Sequence, residues 1–311
     1  MPFRVLSFIE REIGMQRPAS SKCQRISAGP FRQLRTIGLA LIFAAIIGPG
    51  LAAKEKPVDL ELLLAADVSG SVDAEEARLQ RNGYLGALRN PEVIAAIKSG
   101  MLGRIALSYV EWAGLGWYKV IVDWTEIHDE ASAAAFAAKL AAAPIVTAHR
   151  TSVSDAIDLS VPRFTGNGFE GTRRILDVSG DGSNNYGRLV TDARDDAVAA
   201  GITVNGLPIV TDQTNAKYPT IPNIDLFYRD CVIGGPGAFH VVADGFEDFD
   251  RAVRKKLILE IANRVPTGSR HAAAPAHFGA ARLWRVADRV SPPCNIGEWR
   301  WLGIITGGTG E

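Results

Sequence analysis

The chain has 311 residues, and its Lys+Arg and Asp+Glu totals are both 34, which gives a formal net charge of zero. That balance leaves no broad basic face to steer a polyanion, so nucleic acid is not an expected partner. With 47% hydrophobic and 22% charged residues it is a globular chain, long enough for one large domain with extensions or two small domains.

The first 53 residues stand apart. Arg4, Arg11, Arg17, Lys22, Arg25, Arg32 and Arg35 face only Glu10 and Glu12, and an uncharged stretch follows at 37–47. Gly48-Pro49-Gly50 breaks any helix, and Leu51-Ala52-Ala53 supplies the small residues of a cleavage site. Basic region, short apolar region and small-residue exit make a signal peptide over 1–53, and a periplasmic or secreted mature protein. The alternative is an uncleaved anchor, the only route to a membrane, although 37–47 falls short of the ~20 residues of a spanning helix. Cys231 and Cys294 remain in the mature chain. In an oxidising compartment they could pair, but spacing alone does not decide it.

From Val58 onward, strand-like and helix-like segments alternate. Residues 58–66 form a mostly apolar run ending at Asp67, as a buried parallel strand would. Asp73 and Glu76 make a capping-box pattern for a helix to about Arg89. Residues 104–112 and 119–124 read as a hairpin around Gly114 and Gly116, and 131–142 as an Ala-rich helix. Val153, Ala156, Ile157, Ser160 and Val161 recur at helical spacing after Thr151. Next come a strand at 173–179, a helix carrying Val190, Ala193 and Ala197, and strands at 203–209 and 241–243. A last helix shows Phe246, Phe249, Val253, Leu257 and Ile261 on one face. The expected fold class is α/β: a Rossmann-like, doubly wound, mostly parallel sheet with helices on both faces and one antiparallel edge strand. The domain spans 56–263. Residues 264–311, with Pro266, Pro275, Pro292 and Pro293 and no periodicity, read as a poorly ordered tail. A frame-altered end and a small partner-binding extension are the alternatives.

In such a sheet, ligands sit beyond the carboxyl ends of the strands. Three segments there offer oxygen: Asp67-Val68-Ser69-Gly70-Ser71, Arg150-Thr151-Ser152 and Asp177-Val178-Ser179-Gly180-Asp181-Gly182. Hard divalent cations take oxygen ligands in near-octahedral geometry, and alternate positions of a tight loop can point at one centre. Together these segments resemble the metal-ion-dependent adhesion site of von Willebrand factor A domains, over residues 56–263. The resemblance implies metal ligation by Asp67, Ser69, Ser71, Thr151 and Asp181. It implies Mg²⁺ foremost, with Mn²⁺ or Ca²⁺ as alternatives, and an open position for an Asp or Glu of a protein partner. The SGDGSNN turn and the FYRDCVIGGPGAF stretch resemble an uncharacterised bacterial branch of that superfamily, which lends a fold and no biochemical role. Adhesive relatives commonly carry Thr-Asp-Gly where this chain has Gly180-Asp181-Gly182.

Other residues fit blander roles. Asp177, inside its strand, reads as a buried carboxylate bonded to a loop rather than one supporting a metal ligand, and Asp155 and Asp158 as helix N-terminal charges. The five histidines lack ligand spacing, and Ser179 lacks a G-x-S-x-G elbow. Residues 228–237 read as a loop that shapes the rim or turns the chain. A phosphohydrolase of the haloacid dehalogenase type would need a second aspartate where Ser69 stands, so the expected protein is a non-enzymatic binding module. That hydrolase and a purely structural cation are the alternatives. The mature N-terminus is expected close to Ala53; mass spectrometry of the native protein that found 36–53 intact would overturn cleavage.

Overall fold

The strand at the centre of the molecule, β2 (Leu60–Asp67), is buried along its whole length. Its side chains alternate between two cores, as a strand's period of two dictates. Leu60, Leu62, Leu64 and Ala66 enter one, and Leu63 and Ala65 the other. Each fully buried leucine there contributes about 1.5–3 kcal/mol. Glu61 and Asp67 are the polar residues of this strand, and the Glu61 carboxylate accepts from Gly171 N and Asn167 Nδ2. The computed structural model describes residues 54–211, 221–266 and 289–300, all in one compact unit. The expected signal peptide lies outside the described residues, as do 267–288 and 301–311 of the expected tail.

The remaining elements are β1 (Lys56–Val58), α1 (Ala74–Leu88), α2 (Pro91–Lys98), β3 (Ile105–Trp112), β4 (Tyr118–Ile127), α3 (Glu130–Ala142), α4 (Val153–Ser160), β5 (Phe169–Gly171), β6 (Arg174–Gly180), α5 (Val190–Ala199), β7 (Thr203–Val210), α6 (Ile224–Phe227), β8 (Ala243–Asp244) and α7 (Phe249–Ile261). The main sheet runs β4-β3-β2-β6-β7-β8. Only the β3–β4 pair is antiparallel, with β4 at the edge. The core faces of α1, α2, α3 and α7 cover one side of the sheet, and those of α4, α5 and α6 the other. This is the doubly wound architecture expected. Among the described residues no helix is long and apolar enough to cross a membrane.

The Asp73–Glu76 capping box forms at α1. Three features differ from expectation. The periodicity reading lacks α2, although Asn90-Pro91 supplies its cap and Val93, Ile94 and Ile97 its buried face. Residues 228–232 are not loop but one wide helical turn continuing α6, because Phe227, Tyr228, Cys231 and Val232 recur at helical spacing and are all buried. Residues 289–300, inside the expected poorly ordered tail, have a definite place. Cys294 is disulfide-bonded to Cys231, and Ile296 packs on the α4–α5 side core.

Asp177 meets no loop. Lys256 of α7 reaches across to it, with Nζ 2.6 Å from Oδ1 in an ionic contact rather than a directed hydrogen bond. The same ammonium pairs with Glu260, which also accepts from Asn205 Nδ2 at 2.8 Å. All four residues are buried. Burial, opposed by Lys256 and reinforced by Glu260, pushes the Asp177 carboxyl up to about 7. Lys256→Met strands two buried carboxylates, and the expected loss at pH 8 is roughly 3–5 kcal/mol by urea titration. At pH 5 the loss should shrink, because a carboxyl with a raised folded pKa takes up the neutralising proton as pH falls. Equal losses at both pH values would contradict this account.

Candidate metal centre

Parallel pairing of β2 with β6 sets Ala66 opposite Ser179, so the loops that follow, bearing Asp67 and Asp181, emerge side by side. The third loop is pinned over them. Ala148 N donates to Val68 O at 2.8 Å, and Arg150 turns the chain with φ 64° just before Thr151. A non-glycine residue held at positive φ is strained, and such strain gathers at functional sites. Gly114 allows the turn, since a Cβ there would overlap Arg150. Ser152 then caps α4 by accepting from Asp155 N.

All five expected ligands converge. Thr151 Oγ1 lies 3.1 Å from Ser69 Oγ, Ser69 Oγ lies 3.3 Å from Ser71 Oγ, and Ser71 Oγ donates to Asp181 Oδ1 at 2.7 Å. Asp67 Oδ1 accepts from Ser69 N at 2.7 Å, which closes the loop. Asp67, Ser69, Thr151 and Asp181 are buried and Ser71 is half-buried, so the cluster opens on the Ser71 side.

The electrostatics favour a cation. Asp67 Oδ2 is buried with no hydrogen-bond partner. Burial and then the nearby Asp181 raise the Asp67 carboxyl well above the usual range. Burial also pushes Asp181 up to about 6, with Glu76 adding to it against the Ser71 hydrogen bond. The largest influences on the two carboxylates are burial, neighbouring carboxylates and hydrogen bonds from Ser69, Ser71 and the Asp181 backbone. A buried carboxylate without a counter-charge is unfavourable, and such groups protonate, pair or coordinate metals. A donor set of carboxylates and hydroxyls suits a hard divalent ion. Among the described residues there is no group of three or more His, Cys, Asp or Glu side chains that could hold a metal by the commoner route. The residues present therefore fit a divalent cation.

One neighbour escapes sequence reading. A Cβ at Gly180 would lie 2.7 Å from Asp67 Oδ2 and 2.8 Å from the Tyr228 hydroxyl. Glycine at this position, where adhesive relatives commonly carry threonine, makes room for that tyrosine. The hydroxyl is buried without a hydrogen-bond partner among the described residues, and its ionisation is opposed by burial and by Asp67. The only signal in the sequence was the helical spacing of 224–232. Below the site, Gln80 Nε2 donates to Asp67 O at 2.8 Å, and Ser179 Oγ donates to Gln80 Oε1 at 3.1 Å. Ser179 thus braces the strand end and is no nucleophile elbow. Asp155 accepts from Gly116 N and Asp158 pairs with Arg188, so both hold loops together.

Several solved structures share the architecture. The pilus adhesin SpaC from Lactobacillus rhamnosus GG matches at 14% identity and a TM-score of 0.50, over 67% of this chain and 31% of that one. Proximal thread matrix protein 1 from the mussel byssus, in a structure with a zinc-occupied MIDAS motif, matches at 11% identity and a TM-score of 0.45, over 66% of this chain and 46% of that one. A von Willebrand factor type A structure from Catenulispora acidiphila matches at 11% identity and a TM-score of 0.44, over 66% of this chain and 43% of that one. The present chain therefore spans less than half of each, and likeness at such identity speaks to fold alone. No curated protein matches the chain. Residues 57–265 match the model of a protein family of unknown function, DUF1194. The fold is of the von Willebrand factor A type, and the chain belongs to the DUF1194 family.

Proposed function

We propose that this chain is an exported binding module that holds one divalent cation through Asp67, Ser69, Ser71, Thr151 and Asp181. Through that cation it takes an acidic side chain of a protein partner. The observation that carries the reading is the pair Asp67 and Asp181, both buried and both raised by that burial, with Asp67 Oδ2 lacking a hydrogen-bond partner among the described residues. Two carboxylates and three hydroxyls supply five oxygens, which leaves a sixth position of an octahedral ion for an outside ligand. A carboxylate oxygen of a partner is a hard ligand that suits that position. Exposed Leu115, Ile145, Val146 and Tyr186 stand on loops at the same end of the sheet, and apolar and aromatic groups of this kind suit a protein interface. A disulfide fits an oxidising compartment and so supports export. The module is proposed as non-catalytic, because Ser69 stands where a phosphohydrolase needs its acid.

Mg²⁺ or Mn²⁺ should bind one site by titration calorimetry and raise stability by about 2.7 kcal/mol at a hundredfold excess over Kd. Asp67→Ala and Asp181→Ala should each weaken binding strongly while the fold survives. Protons compete for the same carboxylates, so affinity should fall as pH drops from 7 through about 6. Equal binding in wild type and both variants would remove these residues as ligands.

Pull-down from the periplasm should capture a protein partner whose retention is lost with a chelator and reduced by Ser69→Ala and Thr151→Ala. Capture that ignores chelator would leave the cation a structural part. Metal-dependent hydrolysis of a phosphate ester that disappears in Asp67→Asn would make the protein an enzyme instead.

A further inference from the structure

Residues 289–300 are tied to the domain by the Arg289–Asp225 ion pair, the Asn223–Val290 hydrogen bond and the packing of Ile296, and two further attachments lead toward the candidate metal centre. The first is the disulfide, with Cys231 and Cys294 Cα atoms 5.5 Å apart. Cys231 lies on the same helical turn as Tyr228, whose hydroxyl sits by Asp67. The second is Glu298, whose Oε1 accepts from Asn184 Nδ2 at 2.7 Å.

Asn184 is a junction. It is fully buried on the loop that begins at Asp181. Its Oδ1 accepts from Ser154 N at 2.9 Å, in the first turn of α4, and its Nδ2 also donates to Arg188 O at 2.9 Å. Next to it, Asn185 Oδ1 accepts from Thr151 N at 3.0 Å, and Asn185 N donates to Thr151 O at 2.9 Å. These two asparagines tie the Asp181 loop to the Thr151 segment, so they set one ligand relative to another. Glu298 holds the Asn184 amide the right way round, with the donor toward Glu298 and the acceptor toward α4. The backbone follows: a Cβ at Gly297 would overlap the Asn184 carbonyl and lie 2.7 Å from Ser183 Oγ. Only glycine lets the strap lie on this loop so closely.

The disulfide makes that contact probable in the thermodynamic sense. Without it, the polar anchors preceding Glu298 lie back at Arg289, Val290 and Ser291. Closing that longer segment costs more entropy than closing the few residues between Cys294 and Glu298.

We propose that Glu298 is a positioning residue of the metal centre, acting through Asn184, and that the Cys231–Cys294 disulfide holds it in place. Cation affinity then depends on residues outside the ligand set and outside the β/α core. The proposal rests on the cation reading of the site, and two readouts separate the fates of the two.

The test uses the full-length oxidised protein, with Mn²⁺ alone as the calorimetric probe. Glu298→Ala should weaken Mn²⁺ about tenfold, whereas Glu298→Gln, whose side-chain oxygen accepts the same hydrogen bond, should stay within about threefold of wild type. Cys231→Ser with Cys294→Ser should weaken it to a similar degree, and adding Glu298→Ala should cost little more, because both changes remove one clamp. In metal-free protein, hydrogen exchange at the Thr151, Ser154 and Asn185 amides should speed up in Glu298→Ala. Gly297→Ala, which pushes the strap away with the disulfide intact, should behave alike and serves if the cysteine variant does not fold. Wild-type affinity and wild-type exchange in Glu298→Ala would overturn the clamp, as would a Glu298→Gln variant as weak as Glu298→Ala. A wild type that binds no Mn²⁺ overturns the cation reading, and the exchange measurement then decides the clamp by itself.

Discussion

Two carboxylates held close together and away from water are the constraint around which this molecule is arranged. Asp67 and Asp181 reach that position because β2 and β6 are adjacent parallel strands that end at the same edge. Hydrogen bonds from Ser69 and Ser71 offset part of the desolvation but carry no full charge. The fold thus keeps a small region where ionised carboxylates are unfavourable until a proton or a cation neutralises them.

Elsewhere the chain treats buried charge differently. Only two residues before Ser179, Asp177 is answered from within by Lys256, and Glu260 and Asn205 complete the network. One strand therefore carries a carboxylate compensated by the protein, and at its end another left for a ligand. The difference lies in what packs against each. Asp177 meets α7, which supplies an ammonium, whereas Asp181 accepts its side-chain hydrogen bond from the Ser71 hydroxyl.

The loops of the candidate site are polar, with Arg150 at positive φ, and helices and strands hold them from behind. Gln80 and Ser179 brace Asp67 from below, while Asn184 and Asn185 join the Asp181 loop to the start of α4. Tyr228 and Glu298 complete the surround from the far C-terminal half of the chain. A ligand site is only as definite as the groups that orient its ligands, and here those groups come from five separate stretches of sequence.

Local order determined what the sequence could reveal. The alternation of apolar runs and helical stripes was enough for the doubly wound sheet and its antiparallel edge, since side-chain period follows backbone geometry. Asp67, Ser69 and Ser71 were legible because they are contiguous, and Thr151 and Asp181 because each sits where a strand ends or a helix begins. The short helices were harder: α2 carries its signals in Asn90-Pro91, and 224–232 shows helical spacing over too few residues to be told from a loop. Tertiary structure alone decided that Lys256 answers Asp177, that Cys231 pairs with Cys294, that Tyr228 lies by Asp67 and that Glu298 meets Asn184. Each of these is a meeting of side chains remote in sequence. Whether such residues meet depends on strand order and helix packing, which bring distant chain together and leave no trace in local composition.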